Sequence, residues 1–270
     1  MKKLPGLFTI AALFVLSGCF DTVQESTIND DGSGLFVSTM DMGKLLGMVK
    51  MVAGEKEGMK EMDKMKKDTT IYLKDIRDSI KNLSDAEKKL VDKGSLKVIM
   101  NMPDEIFSMA FSFPYSQPAD LVAIKNLLKK TKQNVMADQM DKLMGADTSG
   151  TGDKNAMEHN RLLGDMKPDS NISEVDDYYK YEYKKGRISK KLNKDMYANV
   201  ENDKTLASLK EMSQMGMSST MKTIFNLPRP AKKAEGKGVK LSNDRKKVTI
   251  EGSLDDFFED ASYFEYEIEY

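Results

Sequence analysis

The feature that most restricts how this chain can fold is a two-residue alternation of apolar and polar side chains that returns several times along it. Phe107, Met109, Phe111 and Phe113 fall on one side of such a run, with Ser108, Ala110 and Ser112 on the other. That period belongs to a pleated strand with one face buried. Just upstream, Leu96, Val98, Met100 and Met102 alternate in the same way and meet a turn at Pro103-Asp104. Tyr179, Tyr181 and Tyr183 alternate with Lys180, Glu182 and Lys184, and Lys185-Gly186 turns the chain into 187–192, which makes a β-hairpin. Residues 239–241 and 248–254 form another around Ser242-Asn243-Asp244. The last strand sets Phe264, Tyr266, Ile268 and Tyr270 against Glu265, Glu267 and Glu269. Shorter strands are expected at 35–40 and 69–73. Each has an apolar face, so something apolar must cover it.

Helical periodicity supplies a cover. Ser84-Asp85-Ala86-Glu87 has the form of a capping box, opening a helix that Gly94 ends. Pro118 is placed to start a helix over 118–144, with Leu121, Ile124, Leu128, Val135, Met136, Met140 and Leu143 as apolar positions. Another helix is expected over 203–225, stopped by Pro228 and Pro230. Asp41 is placed to cap a short one carrying Leu45, Met48, Val49 and Val52 on one face. These elements predict an α+β fold, an antiparallel β-sheet with amphipathic helices packed on one face. Residues 145–177, rich in Gly, Ser and Asp, read as a long loop inside a single domain over 35–270.

Hydrophobic burial, rather than a disulfide or a metal staple, has to stabilise this fold. The 270 residues hold one Cys and one His, too few for an internal disulfide, a Cys/His zinc site or an iron–sulfur cluster. With 42 Lys+Arg against 43 Asp+Glu, the chain lacks the positive field that draws nucleic acid. No phosphate-binding P-loop, dinucleotide fingerprint, Gly-x-Ser-x-Gly elbow or Ser-x-x-Lys motif occurs. No cofactor, no nucleic-acid partner and no catalytic residue is therefore expected. His159, the sole imidazole, falls in the long loop.

The sole cysteine sits in a particular context. Residues 1–19 read MKKLPGLFTIAALFVLSGC, with Lys2 and Lys3 ahead of an apolar core from Leu7 to Leu16. A membrane span needs roughly 20 apolar residues, so this shorter run has the form of a signal peptide. Its end, Leu16-Ser17-Gly18-Cys19, resembles the lipobox of bacterial lipoproteins. The resemblance implies cleavage before Cys19, a diacylglyceryl thioether on Cys19 and acylation of its new amino group. Several chains hold a protein on a membrane where one does not. The expected organisation is a lipoprotein signal peptide at 1–18, a lipid-anchored flexible tether at 19–34, then the domain. The expected location is the bacterial cell envelope, at the outer membrane, with the membrane itself and an envelope protein as partners. The turn, strand and helix at 30–52 and the stretch Phe225-Asn226-Leu227-Pro228-Arg229-Pro230 are similar to envelope lipoproteins of the Bacteroidota, a resemblance that implies no reaction.

Other residue groups could carry chemistry beyond an anchor. Methionine is abundant, at 21 residues, and Met59, Met62 and Met65 recur every third position among Lys, Glu and Asp. Thioethers are soft ligands that select Cu(I), so a Cu(I)-binding envelope protein is the alternative function. Met136, Met140 and Met144, like Met212, Met215, Met217 and Met221, recur at helical spacing and read as core. Asp255, Asp256, Glu259 and Asp260 form an acidic run, and Arg229, Lys232, Lys233, Lys237 and Lys240 a basic one; both read as solvated. The expectation is a lipid-anchored envelope protein acting as a non-catalytic binding or scaffolding module.

Overall fold

The computed structural model describes residues 20–44, 47, 66–132, 175–214 and 219–270. Its strands are β1 (Phe20–Ile28), β2 (Gly34–Asp41), β3 (Lys66–Tyr72), β4 (Ser95–Asn101), β5 (Ile106–Tyr115), β6 (Tyr179–Lys184), β7 (Arg187–Leu192), β8 (Ser219–Asn226), β9 (Lys233–Glu235), β10 (Val239–Leu241), β11 (Lys247–Ser253) and β12 (Tyr266–Glu269). The helices are α1 (Asp85–Val91), α2 (Asp120–Thr131), α3 (Lys194–Tyr197), α4 (Lys204–Gln214) and α5 (Leu254–Glu259). The fold is α+β, as the alternation predicts. Eight strands form one sheet in the order β10-β11-β8-β1-β2-β5-β4-β3, and four form another in the order β6-β7-β12-β9.

Register decides what each face of the large sheet offers. Phe36 pairs with Phe113, and Ser38 with Phe111. Phe111 in turn meets Leu96, while Phe225 lies opposite Val248. Cross-strand partners point to the same face, so these side chains make one apolar layer, interrupted on β1 by Gln24 and Ser26. Phe36, Leu96, Phe111, Phe113, Phe225 and Val248 are all buried. Burying such a side chain contributes about 1.5–3 kcal/mol. On the opposite face the rows hold Val23, Thr39, Ala110 and Lys97, each partly or fully exposed.

The described helices cover only part of the apolar layer. α1 and α2 pack on β5, and α1 opens with the expected capping box: Ser84 Oγ accepts from the Glu87 amide, and the Glu87 carboxylate accepts from Ser84 N–H. Beyond them, the four-stranded sheet and α5 provide the cover. Tyr266 of β12 meets Phe225 of β8 edge to face, with ring centroids 5.5 Å apart. The molecule is thus a sandwich of two sheets on one side and of sheet and helix on the other. The β6–β7 hairpin turns at Gly186 with φ 81°, a conformation that suits glycine. At Gly34, opposite Tyr115, a Cβ would collide with the Thr27 carbonyl and the Tyr115 hydroxyl.

Several expectations need correction. Residues 20–28, expected within the flexible tether at 19–34, are the central strand β1, paired antiparallel with β2 and parallel with β8. The domain therefore includes residues upstream of 35. The helix expected over 203–225 ends at Gln214, and β8 begins at Ser219. Met221 consequently lies on a strand, where it shares a face with Thr223 and Phe225. The loop expected over 145–177 gives way at its end to a 3-10 turn, Val175–Tyr178, with Val175 and Tyr178 buried. Of the helix expected over 118–144, α2 spans Asp120–Thr131, and positions from Val135 onward lie outside the described residues.

Candidate functional site

The densest group of charged side chains among the described residues lies between the two sheets. The 3-10 turn that precedes β6 delivers Asp176, α2 delivers Lys125, β7 delivers Lys190 and the central strand β1 delivers Gln24. Lys190 reaches this position because strand alternation puts it beside Ile188 and Leu192 on the inward face, opposite Tyr181. Gln24 is inward on β1 opposite Ser38.

Asp176 is the hub. Lys190 Nζ donates to its Oδ1 at 2.8 Å, and Lys125 Nζ to its Oδ2 at 2.8 Å. Gln24 Nε2 donates to Oδ2 at 3.3 Å, while Gln24 Oε1 accepts from Lys125 Nζ at 2.8 Å. The lysine side chains are only 7% and 14% exposed. Aromatic rings complete the enclosure. Lys190 Nζ lies 4.1 Å from the centroid of Tyr179, and Lys125 Nζ 4.3 Å from that of Tyr181. Tyr181 stacks on Tyr183 with centroids 5.7 Å apart. Next to the hub, Lys129 pairs with Asp177 at 2.5 Å, and Tyr178 donates to Asp203 at 2.8 Å.

Environment sets the charge of each group. Burial pushes the Asp176 carboxyl up, but the neighbouring charges of Lys125 and Lys190 outweigh it and hold the carboxyl well below the usual carboxylate range. Burial pulls the Lys190 ammonium down, Lys125 adds to that, and Asp176 opposes it. Burial, followed by the charge of Asp176, raises the Tyr181 phenol well above its ordinary value. The Tyr181 hydroxyl is buried with no hydrogen bond of good geometry. Tyr178 is pushed up to about 12 by burial and by its bond to Asp203.

These environments limit the chemistry. A general base works best with a pKa near the operating pH, and a carboxyl held far below its usual range is a poor one. Lys190 is enclosed by Asp176 and the rings, which leaves it little room to attack a substrate. What the arrangement does well is hold α2, the turn at 175–178, β1 and β7 in one relative position. Breaking such a buried ionic group costs about 3–5 kcal/mol.

The residues singled out from sequence have separate fates. Leu16, Ser17, Gly18, Cys19, Met59, Met62, Met65 and His159 lie outside the described residues. The acidic run is divided among local tasks. Asp256 caps α5 with Ser253, Asp255 accepts from Ser213, and Asp260 accepts from Ser262 and Lys237. Among the described residues, no three Asp, Glu, His or Cys side chains converge as metal ligands would. The basic run is largely ion-paired: Arg229 with Asp30, Lys233 with Glu235 and Glu267, Lys237 with Asp260, and Lys240 with Glu251. Asp176, Lys125, Lys190 and Gln24 escaped the motif reading. The signal that betrays them is Lys190 at an inward position of an otherwise apolar alternation.

The architecture is a two-sheet α+β sandwich pinned by a buried ionic cluster. No family model, curated protein or solved structure matches the chain.

Proposed function

We propose that this chain is a lipid-anchored cell-envelope protein of the outer membrane, acting as a non-catalytic binding or scaffolding module. The carrying observation is how the molecule uses its two large surfaces. The buried charged group between the layers is consumed in fastening them together, whereas the far face of the eight-stranded sheet carries half-buried side chains around a buried Ile224. Val23, Glu25, Val37, Thr39, Ala110 and Ser112 line the middle of that face, with Lys97, Lys222 and Glu251 toward its sides. Small and β-branched side chains around Glu25, between charged flanks, suit contact with another protein surface. The lipobox ending in Cys19 supplies the anchor.

The test uses membranes of cells making the native chain or a variant. Intact mass of the extracted protein should match residues 19–270 plus acyl chains, and Cys19→Ala should leave the membrane fraction or remain unprocessed. Crosslinking at the sheet face should yield one defined envelope protein, and Ala110→Arg should abolish that product without moving the unfolding midpoint. A specific enzymatic turnover by the purified mature protein would refute the non-catalytic assignment. An acyl-free mass would refute the anchor.

A further inference from the structure

The central position of β1 has a geometric consequence for any chain anchored just ahead of it. Asp21, Asp41 and Ser108 form one row across β1, β2 and β5. Phe20 is one step further out, at the level where Met42 N–H donates to the Phe107 carbonyl at 2.8 Å. Ile106 lies one step beyond that, on the side from which the chain enters β1. β5 is two strand spacings from β1, or about 10 Å. Ile106 opens β5 after the left-handed turn at Glu105, with φ 54°, and is 45% exposed. Pro103 beside it is exposed as well. Exposed Asp104 and Glu105 lie between them, and Lys44, paired with Asp21, and Lys66, both exposed, stand on the same rim.

A free tether over 19–34 would let the domain wander about 20 Å from its anchor. There is no such slack, because Phe20 already belongs to the sheet. Consecutive Cα atoms are about 3.8 Å apart, so acyl chains on Cys19 draw the rim itself to the lipid headgroups. An exposed isoleucine and proline gain by burial in that layer, while the charged side chains beside them, Asp104, Glu105, Lys44 and Lys66, stay hydrated at the headgroups.

We propose that the rim of the large sheet at which β1 begins is a membrane-seated surface, with Pro103 and Ile106 in contact with lipid. The proposal rests on acylation of Cys19. It fixes the strand direction of the large sheet relative to the bilayer, with the turn at 29–33 and Leu35 at the far end.

The chain contains no tryptophan, so a single introduced indole reports its own depth. The full lipidated protein carrying Ile106→Trp, or separately Leu35→Trp, is placed in vesicles of phosphatidylethanolamine and phosphatidylglycerol doped with brominated phosphatidylcholine. Leu35 sits opposite Pro114, about 27 Å along β5 from Ile106. It is 41% exposed, so both indoles start accessible. The expected result is at least twofold quenching at position 106 and none at 35, with both variants keeping the native unfolding midpoint. Equal quenching at the two positions overturns the rim proposal. So does an absence of quenching at 106 in protein that carries acyl chains by intact mass and floats with the vesicles. In both cases the anchor itself survives. A chain without acyl mass overturns the anchor, and the rim proposal falls with it.

Discussion

The two faces of the four-stranded sheet carry similar charged residues and use them in opposite ways. Inward, Lys190 is nearly sealed between Asp176 and the rings of Tyr179 and Tyr181. Outward, Glu267 accepts from Arg187 at 3.1 Å and lies 3.6 Å from Lys233, with those basic side chains 49% and 35% exposed. The outer group gains little, because water and salt compete for each partner. The inner group cannot turn to water. Its members depend on one another, and their geometry therefore fixes how the layers sit.

This contrast can be broken in order of expected effect. Asp176→Asn leaves two enclosed ammonium groups without a counter-charge and should destabilise the fold by about 3–5 kcal/mol in urea unfolding. A loss below about 1 kcal/mol would place the cluster on the same footing as the outer pairs. The same variant sharpens the contrast through pH. The Asp176 pKa is depressed on folding, so its stabilisation is complete above the unfolded carboxylate value of about 3.9 and is lost as the pH falls through the lower folded value. The stability gap between native protein and Asp176→Asn should close below about pH 4, and a gap unchanged down to pH 2 would contradict the depressed value.

Lys190→Met should cost about 1 kcal/mol or less, since Met fills much of the same space and Asp176 keeps Lys125 and Gln24. A penalty as large as that of Asp176→Asn would make the second ammonium indispensable. Smallest of all, Glu267→Gln should cost about 0.5 kcal/mol, and that difference should vanish in 1 M salt. A salt-independent loss would show that the outer face is more than a solvated one.

The strands with apolar inward positions were legible in the sequence because hydrophobic burial writes a period of two. β5, with Phe107, Met109, Phe111 and Phe113 turned inward, is the plainest case. β1 was not legible, for the same reason inverted. Its inward positions include Gln24, which serves the charged cluster, and Ser26, a small polar residue buried between Phe36 and Phe225. A central strand that serves a polar partner reads as a polar leash. β8 hid differently: Met212, Met215, Met217 and Met221 fit a helical spacing across the junction between α4 and the strand, and no proline separates the two. The cluster itself is assembled from positions 24, 125, 176 and 190, which no local spacing connects.

The parallel pairing of β1 with β8 also governs the order in which the molecule can be completed. Thr27 and Asn226 are hydrogen-bonded neighbours although 199 residues separate them. β2 closes against β1 through a short turn soon after both are made, but the other edge of β1 stays bare until almost the whole chain has been delivered. Contacts this distant in sequence form slowly, because loop closure must precede any reward. A chain emerging from its N-terminus thus holds its central seam open to the last. That seam closes only when the final fifth of the chain, which holds β8, arrives.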